Sequence, residues 1–369
     1  MKTQRTMNHN TASIACLGFA GLLAAISVLP AGAQSRYLIT DLGTLPGLAD
    51  SYVWADVGGG SPINNRGHVA VYANNTGNPY PVGGDSSFLW TGPGEMAPLP
   101  GLPGATDTAA MALNDRDQIV GASGLGSPYD HAVLWEHGMA YDLGLLLPDD
   151  STSWAVSINN HGDIAGVTGN PDFRLMNGVV WYDRKIHQLP SLPGAFFTEP
   201  NGINDRGQIV GESGPHWWST FHAVLWEHDK IIDLGALGGG SSLANASNNQ
   251  GQIVGQAQVG NGDWHASSWQ MGAIADLGRF GSDPNAVANA VNSRGQIVGS
   301  SEQNSYDLVT SHALLWEHGA MQDLQTQIPA HSDWVLQQAN GINDRGQIAG
   351  IGLHNGQIRA FLLTPRHHE

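Results

Sequence analysis

The chain has 369 residues, with 15 basic side chains against 32 acidic ones and a formal charge of −17 at neutral pH. Such a balance repels phosphate backbones, which excludes nucleic acid and other polyanions as partners. Forty-nine glycines and only 13% charged residues suit many short strands joined by tight turns, not helices with charged outer faces.

Residues 1–33 read as a secretory signal peptide. Lys2 and Arg5 give a positive start, Ala12 to Leu29 is apolar, and Ala31-Gly32-Ala33 presents small residues for cleavage before Gln34. The alternative, a membrane anchor, is disfavoured by the short apolar run and its cleavage-type flank, and no later stretch is apolar enough to cross a membrane. Cys16 is the sole cysteine, and Ser13-Ile14-Ala15 before it is a poor lipobox. The mature part, residues 34–369, therefore has no disulfide and must rely on packing in an oxidising compartment. Loss of Lys2 and Arg5 leaves 13 basic residues against 32 acidic ones, a formal charge of −19.

The first element of the mature chain is a strand, Tyr37 to Gly43, that ends in Asp-Leu-Gly and has no local partner. A repeat follows. Its clearest copy is Asn204-Asp205-Arg206-Gly207-Gln208-Ile209-Val210-Gly211, with relatives beginning at Asn64, Asn114, Asn159, Asn248, Asn292 and Asn343. A tryptophan lies some twenty residues after each of the first six, at Trp90, Trp135, Trp181, Trp226, Trp269 and Trp316, with Leu363 in the seventh. Asp-Leu-Gly then recurs at Asp142, Asp233 and Asp276, and more weakly at Pro98, Gln188 and Asp323. In the fourth copy, strand a leads into Asn204 and the turn runs to Gly207. Strand b spans Gln208 to Ser213, strand c His222 to Trp226 and strand d Lys230 to Leu234. Asn favours the first turn position and Gly accepts positive φ at the last.

Four short antiparallel strands at a period in the forties predict a propeller blade. The seventh copy stops after strand c, at Thr364, and Tyr37 to Gly43 supplies its missing strand d. The predicted fold is thus all-β, a seven-bladed β-propeller closed by its N-terminal strand. An open β-solenoid is the alternative, and it leaves that strand unpartnered.

His-Ala-x-Leu-Trp-Glu, Asp-Leu-Gly-x-Leu-Gly-Gly and Ile-Asn-Asp-Arg-Gly-Gln-Ile-Val-Gly together resemble the HAF family of bacterial extracellular repeats, over the whole mature chain. The resemblance implies repeat architecture and export, and carries no reaction. Copies one and three depart from it: Ser87-Phe88-Leu89-Trp90 and Asn177-Gly178-Val179-Val180-Trp181 lack the His-Ala pair, and Asp117 replaces the turn Gly of copy two.

In such a meander the a–b and c–d turns share one end, here short and uniform. The variable b–c loops and d–a connections share the other, the top, where binding is expected. Trp54, Trp154, Trp217, Trp218, Trp264 and Trp334 fall there, as do many carboxylates, opposed clearly only by Arg174 and Arg279. That surface suits a cation or a sugar stacked on rings. The candidate ligand-binding residues are His216, Trp217, Trp218, Trp264, Trp334, Glu199 and Asp263, with Pro215-His216-Trp217-Trp218 the best single segment. Asp149 and Asp150, the densest acidic pair, are the candidate calcium site. The strand-c tryptophans read as core. His131, His222, His265 and His312 are expected to hold neighbouring loops by hydrogen bonds, with the Asp of Asp-Leu-Gly as a turn anchor.

No nucleophile elbow, zinc-protease helix, P-loop or dinucleotide fingerprint occurs. Three functions fit: a secreted module that binds an extracellular glycan, cation or protein; a polysaccharide hydrolase or lyase using top carboxylates; or a structural extracellular component.

Overall fold

The computed structural model describes residues 35–53, 60–77, 85–124, 130–170, 176–216, 219–303 and 311–366. The expected signal peptide, residues 1–33, and Trp54, Arg174, Trp217 and Trp218 lie outside the described residues. The described chain is all-β apart from one 3-10 turn, Leu324–Gln327.

The local rule of the fold is the Asn turn. Asn204 Oδ1 accepts from the backbone N–H groups of Arg206 at 3.0 Å and Gln208 at 3.1 Å. Gly207 closes the turn at φ 73°, where a side chain would be strained. Asn204 Nδ2 donates to Gln208 Oε1 at 2.8 Å and to the carbonyl of Asn248 in the next copy at 3.1 Å. Gln208 in turn donates to Glu227 at 2.7 Å, joining the turn to the end of strand c.

The inter-copy bond recurs. Asn64 donates to the Asn114 carbonyl, Asn114 to Asn159, Asn159 to Asn204, Asn248 to Asn292 and Asn292 to Asn343. Asn343 then donates to Asn64 at 2.9 Å, so the first and last copies meet. The copies that depart from the motif keep the second donor satisfied by other means. Copy one has His68 where others have Gln, and Asn64 Nδ2 finds Asp117 Oδ1 of copy two at 2.8 Å instead. Asp117 occupies the turn-Gly position at φ 59°, and also takes His68 Nδ1 and Arg66, each at 2.8 Å. In copy three Asp163 replaces Gln and accepts from Asn159 at 3.0 Å.

Each turn feeds a four-stranded antiparallel meander. In copy four the strands are Phe197–Ile203, Ile209–Gly214, His222–Glu227 and Lys230–Asp233, within a residue or two of expectation at their shared ends. Three sheets have four strands, and two have eight, each made of two such meanders touching through a single parallel bridge. No sheet closes on itself. Tyr37–Asp41 pairs antiparallel with Gln357–Pro365, in register from Tyr37 opposite Pro365 to Asp41 opposite Phe361. Arg36 beside it forms an ion pair with Glu317 of copy six at 2.7 Å.

The core lies between neighbouring sheets. Val120 and Leu134 of copy two, for example, pack with Ile164 and Trp181 of copy three. The strand-c tryptophans are all at least 94% buried. Several also tie adjacent sheets: the indole N–H of Trp135 donates to Pro100 at 2.7 Å and that of Trp226 to Pro190 at 2.7 Å.

The repeated His and the Asp of Asp-Leu-Gly turn out to be partners within one sheet. His131 meets Asp142 at 2.9 Å, His222 meets Asp233 at 2.7 Å and His265 meets Asp276 at 2.9 Å. Each Asp also accepts the N–H of the Gly two residues on. His312 instead packs against Phe280, with ring centroids 4.6 Å apart. In copy three the exchange is matched on both strands, Gln188 donating to Asn177 at 3.0 Å.

Two outcomes follow from these contacts. Asn204→Asp removes both donors of Nδ2 and sets a carboxylate against two carbonyl oxygens; urea melts should show a loss of about 1–3 kcal/mol or more, and an unchanged midpoint contradicts the turn account. Hydrogen bonding to Arg36 holds the Glu317 carboxyl below its ordinary range. A depressed carboxyl stabilises the fold above its unfolded value and loses that contribution as pH falls through the folded one. Arg36→Ala should therefore melt below the parent at pH 7, and the gap should shrink on acidification below 4.5.

Candidate functional site

At the loop end of copies four and five, two aromatic pairs stand close in sequence to the expected ligand segment. His216, just after strand b of copy four, stacks on Phe196 with centroids 6.0 Å apart and planes 18° from parallel. Phe196 is 62% exposed. Phe221, before strand c, stacks on Trp264 of copy five at 6.0 Å and 22°. Ser219 braces this loop, its hydroxyl accepting from His216 N at 3.1 Å and donating to the His216 carbonyl at 2.9 Å. Asp263 precedes Trp264 in a tight turn and accepts from Asn261 at 2.9 Å. Glu199 lies directly opposite Glu212 on the adjacent strand.

Trp334 belongs elsewhere. It is 94% buried, stacks on His354 at 4.5 Å and 8°, and meets Phe361 edge-on at 5.8 Å. Its ring is a packing element of copy seven, and the structure does not bring it together with His216 or Trp264. Asp149 and Asp150 do not converge either. Asp149 is exposed, whereas Asp150 is buried, accepts from Leu147 N at 3.0 Å and takes the Thr168 hydroxyl, so it closes a turn. Among the described residues no three His, Cys, Asp or Glu side chains are grouped to hold a metal ion.

The innermost strands carry a set of residues that the sequence reading missed. Strand a is bulged three residues before the repeat Asn, and in copies four to seven the bulge residue is itself Asn: Asn201, Asn245, Asn289 and Asn340. Each donates along the inner circumference to the next copy: Asn201 to the Ala244 carbonyl at 3.1 Å, Asn245 to Ala288 at 3.0 Å, Asn289 to Ala339 at 3.1 Å and Asn340 to Val53 at 3.4 Å. Met111 and Val156 hold the same place in copies two and three and join an apolar cluster with Val53. One arc of the inner wall is thus amide-lined and the other apolar. The signal was available as Asn-x-x-Asn in four consecutive copies.

The turn end, expected to be plain, holds a cavity of about 180 Å³ lined by all seven copies. The residues after each repeat Asn ring it as Asn65, Asp115, Asn160, Asp205, Asn249, Ser293 and Asp344. Except at Ser293, carboxamides alternate with carboxylates: Asn160 Nδ2 reaches Asp115 at 3.2 Å and Asp205 at 3.3 Å, and Asn249 reaches Asp205 at 3.0 Å. Burial pushes the Asp205 carboxyl up, but these amides and the Asn160 backbone N–H outweigh it and hold it below its ordinary range. Gly60 and Ser61 of copy one cross to bond Val156 and Leu113 of copies three and two, at 2.8 and 3.1 Å. A Cβ on Gly60 would fall 2.8 Å from Ala112, so only glycine fits that crossing.

Neither a protein-family model nor a curated protein matches the sequence. Solved structures do. The β-propeller domain of the trilobed protease from Pyrococcus furiosus is 10% identical with a TM-score of 0.53, over 85% of this chain and 97% of that one. An oligogalacturonate lyase from Vibrio parahaemolyticus is 9% identical with a TM-score of 0.52, over 88% and 93%. An oligogalacturonate lyase in complex with manganese is 11% identical with a TM-score of 0.51, over 91% and 95%. At such identities the likeness speaks for the fold alone, and that fold is the β-propeller.

Burial separates the aromatic residues by role. Trp334→Ala should cost about 3–5 kcal/mol of stability, and Phe196→Ala less than about 1 kcal/mol. Chemical denaturation of the two variants reads the difference; equal losses would reject this division.

Proposed function

We propose that the chain is an exported propeller of the HAF repeat type, with seven blades closed by the N-terminal strand, and that it works as a binding module for extracellular glycans. The observation that carries this reading is the pair of aromatic stacks, Phe196 with His216 and Phe221 with Trp264, on the loop end of blades four and five. An exposed ring such as Phe196 loses free energy in water and gains it under a sugar face. Glu199 and Asp263 sit on the same two blades and can accept hydrogen bonds from sugar hydroxyls. Net charge favours a neutral or cationic glycan over an acidic one. Residues 1–33 carry the export signal in this reading, and Trp217 and Trp218 fall between the two stacks in sequence.

A second reading is supported by one observation. Glu199 and Glu212 face each other across adjacent strands, a pairing that suits acid and base in glycoside cleavage. Release of new reducing ends or unsaturated products from a bound glycan, lost in Glu212→Gln, would favour it over simple binding.

The mature protein should bind a subset of a neutral glycan array. Phe196→Ala with Trp264→Ala should weaken that binding about tenfold or more, since each stack contributes about 0.5–1.5 kcal/mol. Retained affinity in a folded double variant rejects the aromatic site.

A further inference from the structure

The amide arc on the inner strands has two oxygen atoms with no hydrogen-bond partner. Asn201 Oδ1 and Asn245 Oδ1 are enclosed, on residues that are wholly and 98% buried. They are adjacent around the wall, because Asn201 Nδ2 bonds the carbonyl of Ala244, the residue before Asn245. Asn340 is not in this state: its Oδ1 accepts from Asn289 Nδ2 at 3.2 Å. Buried amide oxygens left unsatisfied cost free energy comparable to a lost hydrogen bond, so two side by side call for a donor or a cation.

The local charge selects between these. Glu212 is 95% buried, and its Oε2 takes the other Asn201 Nδ2 contact at 2.7 Å. Glu199 stands opposite it in register. Asn201 is therefore fixed in the orientation that turns Nδ2 to Glu212 and Ala244 and leaves Oδ1 as a bare acceptor. A neutral amide oxygen beside an acidic strand pair is oxygen-donor chemistry for a hard cation or for the N–H groups of an ammonium ion.

We propose that Asn201 Oδ1 and Asn245 Oδ1, with the charge of Glu212 behind them, form a cation site in the inner wall between copies four and five. The occupant is either a hard metal ion or a primary ammonium group, and the two share the need for acceptors and negative potential. This site shares Glu212 with the cleavage reading but none of the aromatic residues, and it stands whether or not a glycan binds there.

The test is titration of the mature, chelator-treated protein with calcium chloride in one arm and methylammonium chloride in the other, read by calorimetry and by thermal melting, with sodium chloride at matched ionic strength as reference. One arm should give saturable binding and a concentration-dependent rise in melting temperature. Glu212→Gln, which keeps the shape and the hydrogen bond to Asn201, should weaken binding at least tenfold. Asn245→Leu should abolish it. Asn340→Leu, at an arc position whose oxygen is already engaged, should leave it unchanged. Calcium binding alone assigns a metal site, and methylammonium binding alone assigns an ammonium site. Absence of saturable binding in both arms by folded wild-type protein overturns the proposal, as does equal binding by wild type and folded Glu212→Gln.

Discussion

A carboxamide has two donors and two acceptor positions, and the repeat Asn uses all four at once. Its oxygen makes the turn, by gathering the N–H groups two and four residues ahead. Its nitrogen makes the assembly, by bonding Gln of the same copy and the backbone of the next. No other side chain of that length does both. Asp has the acceptors without the donors, and Gln is too long to close the turn. The rest of the molecule follows from this bond: it sets the distance between inner strands, and the tryptophans then fill the space between sheets. Because Asn343 returns to Asn64, the constraint runs through every copy.

Much of this was legible in the sequence because it is repeated. The strand boundaries, the buried tryptophans and the pairing of Tyr37–Asp41 with the last strand were all readable from spacing. The motifs' mutual partners were not read, though the signal was there. His and the Asp of Asp-Leu-Gly stand eleven residues apart and are lost together in copies one and three, where Ser86 and Pro98, or Asn177 and Gln188, take their places. His68 and Asp117 look like two unrelated blemishes in different copies, but in the fold they stand 2.8 Å apart. Sequence spacing cannot reveal that contact, since it depends on which copies are neighbours.

The candidate site was less legible. Composition pointed to the loop end, and the aromatic stacks of copies four and five do lie there. Trp334 begins strand a and by that position belongs to the loop end, yet the neighbouring His354 and Phe361 hold its ring in the core. Asp150 was read as a ligand, but a buried carboxylate next to a turn N–H and a hydroxyl is already satisfied. The bulge asparagines escaped notice because a bulge displaces one residue to the inner wall, and nothing in an alternating pattern says which. The turn end escaped because uniform turns look inert one at a time; only seven together enclose a cavity.

Hydrogen exchange at the turns tests the central claim most directly, that the repeat Asn residues form one continuous constraint with no free end. The amides of residues 66, 116, 161, 206, 250, 294 and 345 each donate to a repeat Asn oxygen. Mass spectrometry on peptides covering them should find protection in copies one and seven as high as in copy four, all lost together in one unfolding event. Protection that falls away toward copies one and seven, as in an open array whose terminal repeats fray, would contradict the account.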